Sequence, residues 1–399
     1  MSTDLEADVR SYLRQRGKCL MISGPSKMGK TVLVEHLVPR DAAVWISGDS
    51  IISIEAFWQR IIDQLDAYRT VEQSYSQEAG GGAQVEAFVG MPEALGARAS
   101  IGGSGRLADT YSGSTTRSAE STALEYFQRD PVPIVIDDFH YTSETIREPL
   151  TMAIKQLILH TRVILIAVPH EAFALVRSTS EMNGRVWQVQ VPEWEHEELE
   201  LIATEGFQSL GVIDPENVSG YLAEASLSAP FLMQQLCFDL LESQGIESSS
   251  SAQQTVHAPE DWSRFFRRIA RRHEPDVFAA LASGPPVRGE PRSAQLLKDG
   301  TRTDIYGAVL LAIGRSGKRQ LHYLDVADSL ASLATSSISN QRIGSALKQL
   351  SSIAWDKRGQ TDPALAYKDD TVTILDPFLA FYLQHGDWVP PTVRERPSR

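Results

Sequence analysis

Between Lys18 and Leu37 the apolar run Cys19-Leu20-Met21-Ile22 leads into Gly24-Pro25-Ser26-Lys27-Met28-Gly29-Lys30-Thr31 and then into Val32-Leu33-Val34-Glu35-His36-Leu37. A short apolar run, a loop with two glycines and an apolar-periodic stretch predict strand, loop and helix in that order. The loop has the spacing G-x-x-x-x-G-K-[ST], whose physical logic is a phosphate cradle. Gly24 and Gly29 let the backbone turn so that successive N–H groups and the N-terminus of the next helix face an anion. Gly24, Pro25, Ser26, Lys27, Met28, Gly29, Lys30, Thr31 and Val32 are thus the expected wall of a nucleotide-phosphate site. Lys30 is placed to neutralise β and γ phosphates, and the Thr31 hydroxyl to hold Mg²⁺.

Such a loop needs an acid for the metal, at the end of another buried strand of the same sheet. Val132-Pro133-Ile134-Val135-Ile136 is an apolar run ending in Asp137-Asp138. Asp137 falls where it can hold Mg²⁺ through water, and Asp138 where it can polarise an attacking water. An acid at this point can also cap a following helix, which is the other reading of Asp138. An Asp reaches about one C–C bond less far than a Glu, so slow hydrolysis is expected.

Three more strands are predicted at Ala43–Ser47, Arg162–Val168 and Val186–Val191, alternating with helical patterns over Ile54–Tyr68, Ile146–Leu159 and His170–Val176. Five β segments joined by helices predict an α/β fold with a parallel P-loop NTPase sheet. Glu78 to Gly113 carries nine of the chain's 27 glycines, too many for a helix, and reads as an insertion, either a projecting hairpin or a loop. The expected organisation is a core over 1–192, a helical lid over 193–247, a Ser-rich linker over 248–258 and a C-terminal unit over 259–399. In the last, helices near Asp304–Gly314, Leu324–Leu333 and Ser339–Trp355 precede two short strands, Ala364–Lys368 and Thr371–Leu375, around Asp369-Asp370. Three helices followed by a hairpin is the order of an α+β winged helix-turn-helix.

Composition excludes whole classes of function. With 42% hydrophobic and 22% charged residues the chain can bury real cores, which rules out a disordered or fibrous protein. No apolar run approaches the length of a membrane span, and Cys19 and Cys237 both sit in apolar runs, so a cytoplasmic protein with reduced thiols is expected. The net charge of -13 is unevenly held, at -17 over residues 1–258 and +4 over 259–399. A mildly basic C-terminal unit permits DNA as a partner without requiring it. Arg264-Phe265-Phe266-Arg267-Arg268-Ile269-Ala270-Arg271-Arg272-His273 interleaves bases with aromatics on a helix. That pattern can meet phosphates or the acidic unit of a neighbouring chain, or simply be a solvated face. The third helix of the C-terminal unit offers only Gln341, Arg342 and Lys348 as long polar readers, thin for DNA. A small-molecule kinase is disfavoured because no separate acceptor domain is visible.

Taken together, Gly24 to Thr31, Ile134 to Asp138, a helical lid containing Ala229-Pro230 and a C-terminal winged helix followed by Asp376-Pro377-Phe378 resemble prokaryotic AAA+ ATPases of the signal-transducing (STAND) and origin-recognition-like group. The resemblance implies ATP and Mg²⁺ as cofactors, slow hydrolysis to ADP and phosphate, and nucleotide-controlled homo-oligomerisation or partner engagement; the alternative is an ATP-dependent DNA loader or regulator that reads DNA with its winged helix. It implies nucleotide contact by Pro230, although Ser228 stands where glycine is usual and no arginine follows the motif. It further implies that His170 senses the γ-phosphate and that Arg185, before the fifth strand, reaches a neighbour's nucleotide as a catalytic residue; a surface salt bridge is the other reading of Arg185.

Overall fold

A computed structural model of the chain describes residues 2–65, 118–168, 182, 184–249, 253–287, 292–359 and 362–391. Its centre is a parallel sheet of β1 (Cys19–Ser23), β2 (Val44–Ser47), β3 (Ile134–Asp137), β4 (Val163–Ala167) and β5 (Val186–Gln190), in the spatial order β2-β3-β4-β1-β5. The strand residues explain that order. Every residue of β1 and β4 is buried, whereas β2 and β5 each leave polar positions exposed. Strands apolar on both faces belong inside a parallel sheet, and mixed ones at its edges.

Because side chains alternate along a strand, the sheet feeds two cores. Leu20, Ile22, Ile164 and Ile166 face one side, where they meet Val9 and Tyr12 of α1 (Ser2–Leu13) and Val34 of α2 (Lys30–Leu37). Cys19, Met21, Val163 and Leu165 face the other, against α3 (Ile54–Leu65), α4 (Ala119–Arg129) and α5 (Glu144–Leu157). Tyr12 locks α1 to the sheet: its hydroxyl donates to the Val163 carbonyl at 2.8 Å and accepts from the Val163 N–H at 3.0 Å. The expected insertion over 78–113 and the helical pattern over 170–176 lie outside the described residues.

Beyond the sheet come α6 (His196–Ser209), β6 (Val212–Ile213), α7 (Val218–Ala225) and α8 (Pro230–Ser243). Within the segment read as a linker, β7 (Gln254–Thr255) pairs in parallel with β6, and Val256 is fully buried. Then follow α9 (Trp262–Arg272), α10 (Phe278–Ser283), the ribbon of β8 (Gln295–Leu296) and β9 (Arg302–Thr303), α11 (Ile305–Ser316), β10 (Gln320–His322), α12 (Tyr323–Leu333), α13 (Asn340–Lys357), β11 (Leu365–Lys368), β12 (Thr371–Ile374) and α14 (Pro377–His385). The helices α11, α12 and α13 precede the hairpin β11–β12, as the patterning predicts, and β10 adds a third antiparallel strand in the order β10-β12-β11. Asp369 and Asp370 form the tip, both with positive φ, the geometry of a two-residue hairpin turn. One apolar core runs from the α1 face of the sheet through α6–α8 into α11, α13 and α14. The C-terminal unit therefore packs on the same body as the phosphate loop.

Candidate functional site

The phosphate loop leaves the carboxyl end of β1 and enters α2 with Lys30 as its first residue. Gly29 sits at φ 85°, a left-handed conformation that a residue with a Cβ reaches only with strain, and it lets the backbone reverse into the helix. Lys27 shares that conformation at φ 63° and marks the outermost point of the turn. The Lys30 ammonium donates to the carbonyls of Gly24 at 2.9 Å and Pro25 at 2.7 Å, and only 8% of the residue is exposed. Burial lowers its pKa, opposed by the charges of Asp362, Asp138 and Asp137. Polar groups thus hold a desolvated cation beneath the loop, where polyphosphate would meet it with little competition from water.

The Thr31 hydroxyl donates to Asp137 Oδ1 at 3.2 Å, so strand β3 and the loop meet although β4 lies between their strands. Among the described residues no cluster of three or more His, Cys, Asp or Glu could hold a metal by itself. A hydroxyl and one carboxylate side by side nevertheless fit Mg²⁺, which takes one or two protein oxygens and completes its shell with water and phosphate.

Asp138 follows in a left-handed conformation at φ 50°, with its N–H on Asp137 Oδ1 at 3.0 Å. It stands at the start of the short 3-10 turn Phe139–Tyr141 but makes no side-chain cap bond there. One side of Asp138 stays open to solvent. Packing around the rest raises its carboxyl pKa, first by desolvation and then by the neighbouring Asp137 charge. Gly48 supports this turn: a Cβ there would lie 2.3 Å from the Asp138 carbonyl oxygen, so no larger residue fits beneath it. Nothing in the local pattern marks Gly48, because the contact joins the ends of β2 and β3.

A cavity of about 830 Å³ opens above the loop. Ser26, Lys27, Met28, Gly29, Lys30, Thr31, Val32 and Pro230, all expected there, line it, and so does Asp138. Pro230 is the first residue of α8, where a missing N–H costs nothing, and Val32 keeps 70% of its surface exposed at the cavity mouth. Trp194 donates to the Met28 carbonyl at 3.2 Å and ties the start of the lid to the loop. Gln234, one turn beyond Pro230, also lines the cavity, at a distance from the motif where the sequence has no arginine.

The C-terminal unit reaches the same cavity, which the sequence reading did not foresee for Asp362. This carboxylate lies 2.9 Å from His140 Nε2, lines the cavity and contributes the largest charge effect on Lys30. Asp376 takes the Lys27 ammonium at 2.8 Å while also accepting the N-terminal N–H of Phe378 as the cap of α14. The Lys27 ammonium sits 4.7 Å from the Phe378 ring centre, and Phe378 packs edge-on against Phe231 of the lid. Asp376 carried a sequence signal as part of Asp376-Pro377-Phe378. Asp362 carried none, because its partners His140 and Lys30 are more than two hundred residues away.

Arg185 lies elsewhere. Its carbonyl accepts from the Cys19 N–H at 2.8 Å, at the amino end of β1 and β5, whereas the phosphate loop leaves the carboxyl end. Five strand residues at ~3.3 Å each separate the two ends, so Arg185 does not join the cavity of its own chain. His170 lies outside the described residues.

No protein-family model and no curated protein matches the sequence. Among solved structures, the chain is similar to the Walker-type ATPase paby2304 of Pyrococcus abyssi, at 14% identity over 95% of this chain and 94% of that one, with a TM-score of 0.55. The ORC2 protein of Aeropyrum pernix in its ADP form aligns at 12% identity over 94% and 89%, with a TM-score of 0.45. A STAND protein with a tetratricopeptide repeat sensor, PH0952 of Pyrococcus horikoshii, aligns at 13% identity over 96% of this chain and 42% of that one, with a TM-score of 0.38. The first likeness gives the fold, that of a P-loop NTPase. No described helix is long and apolar enough to cross a membrane.

Proposed function

We propose that this protein is a Mg²⁺-dependent ATPase in which the nucleotide sets the pose of the C-terminal unit, and through it homo-oligomerisation or partner engagement. The observation that supports this reading is the sharing of the loop's two lysines. Lys27 is held by Asp376, and Lys30 feels Asp362, so two carboxylates of the C-terminal unit stand beside the groups that a triphosphate needs. Negative charge arriving as β and γ phosphate repels both carboxylates and competes for both cations. ATP binding and release of the C-terminal unit are thereby two sides of one equilibrium. When bound, Mg²⁺ would be held by Thr31 and Asp137 and would neutralise phosphate charge. Asp138, with its raised pKa, would accept the proton of the attacking water, and Pro230 and Gln234 would let the lid sense the occupant.

The coupling has a direct test. Asp362→Asn removes a charge that competes with the incoming phosphates while keeping the side chain's size, and it is expected to bind ATP ~5-fold more tightly, which corresponds to about 1 kcal/mol. Calorimetry measures the affinity. Small-angle scattering should show the radius of gyration rising with ATP in the wild type, and already larger in a Asp362→Asn/Asp376→Asn double variant; Asn at 376 can still cap α14. Unchanged affinity and unchanged size would leave an ATPase without the switch.

An oligomeric ATPase would use Arg185 in trans, since that residue cannot reach its own cavity. Arg185→Ala is then expected to bind ATP normally yet hydrolyse little, and mixing it with Lys30→Ala should restore part of the activity at interfaces that combine an intact loop with an intact arginine. Full activity in Arg185→Ala alone would assign it to the surface.

A further inference from the structure

The geometry points to the outward face of α9 as a docking surface for the phosphate backbone of double-stranded nucleic acid, independent of the nucleotide site and of the helix α13 that a winged-helix reading would favour. Helix α9 is divided cleanly. Phe265, Phe266, Ile269 and Ala270 are buried, against α14 among other neighbours. Arg264, Arg267, Arg268 and Arg271 are exposed, and their spacing of three, four and seven residues places all four on one stripe of the helix. Arg271 is paired with Asp387, whereas Arg264, Arg267 and Arg268 form no ion pair with any described residue. Two acids, Glu260 and Asp261, stand at the start of the helix, and neither pairs with the stripe's guanidinium groups; Asp261 accepts the Arg264 N–H as the N-cap. Arg272 lies beside the stripe and turns toward the lid, pairing with Asp239 and Glu242 of α8.

Three guanidinium groups without acidic partners, on a rigid helix of a chain whose net charge is -13, form a local positive stripe that complements a polyanion. Guanidinium suits phosphate because its planar fork donates two parallel hydrogen bonds. The stripe presents a row of fixed guanidinium groups that matches the closely spaced phosphates of a duplex backbone, contacts that set position rather than read sequence. The element expected to read DNA is less suited to it. On α13, Arg342 is engaged with Ser293, and the hairpin tip presents Asp369 and Asp370.

The test is retention of a fluorescent duplex of arbitrary sequence by the full chain, followed by anisotropy over a salt series. Wild type is expected to bind with a slope of log K against log salt near -3, and each arginine replaced should reduce that slope by ~0.9. The triple variant Arg264→Gln/Arg267→Gln/Arg268→Gln should lose at least ten-fold in affinity at low salt, with an unchanged circular dichroism spectrum because Gln is a good helix former. Lys348→Gln on α13 should bind like wild type. No retention by wild type overturns the proposal, as does a triple variant that binds normally, or a loss in Lys348→Gln without one in the triple variant. If wild type retains no duplex and the triple variant instead lowers the mass seen by light scattering, the stripe belongs to a contact with a second copy of the chain. ATP affinity is read in the same samples; its loss in wild type would refute the ATPase reading while leaving the duplex result interpretable.

Discussion

Replacing Lys30 with alanine is expected to abolish measurable ATP binding. The ammonium is the buried cation beneath the loop, and in this structure it is held by neutral carbonyls of Gly24 and Pro25 that give it up to a better acceptor. Hydrogen bonds to charged groups contribute about 1.5–3 kcal/mol each. Losing two of them, one to each terminal phosphate, weakens binding by about 3–6 kcal/mol, or ~10²–10⁴-fold in dissociation constant. The fold should survive, because β1 and α2 are held by their own apolar contacts. Calorimetry with a melting control decides the matter. Unchanged affinity in a folded Lys30→Ala protein would remove the phosphate-site assignment.

The second large effect separates two adjacent acids. Asp138→Asn is expected to bind Mg·ATP like wild type and to lose ~10²–10³ in turnover, the usual scale for a general base. Asp137→Asn is expected to weaken binding in Mg²⁺ and to change little in EDTA, because on the proposed reading Asp137, beside Thr31, would act on the nucleotide through Mg²⁺. The pH dependence carries an independent sign. A base must be ionised, and desolvation together with the Asp137 charge raises the Asp138 pKa, so turnover should fall on acidification already above the ordinary carboxylate range. In Asp138→Asn that acid limb should disappear. Wild-type turnover in Asp138→Asn would return this residue to a purely conformational role at its left-handed turn.

Lys27 illustrates why neighbouring residues of one loop need different explanations. Lys30 follows from the spacing of the motif, since any chain that cradles phosphate with two glycines needs a cation at that step. Lys27 occupies a position the motif leaves free, and its role here comes from Asp376 and the ring of Phe378. A sequence pattern constrains the first and is silent on the second.

The amino-acid sequence by itself determined the local elements of this protein. Apolar runs wrote β1, β3 and β4, the loop spacing wrote the phosphate cradle, and the order of three helices and a hairpin in the C-terminal unit was readable from periodicity and turn residues. These signals are short-range: backbone sterics and side-chain alternation act over a few residues and leave their mark in the same few. Tertiary structure decided the rest. It placed β4 between β1 and β3, paired Gln254 and Thr255 of the expected linker with β6, set Gly48 beneath Asp138, put Arg185 at the far end of the sheet, and brought Asp362 to Lys30. Each rests on residues far apart in the chain, and the approach of Asp362 to Lys30 follows from an apolar core that continues from the sheet into the C-terminal unit. Burial has no preferred sequence separation, so the charges it carries to the phosphate loop leave no periodic trace to read.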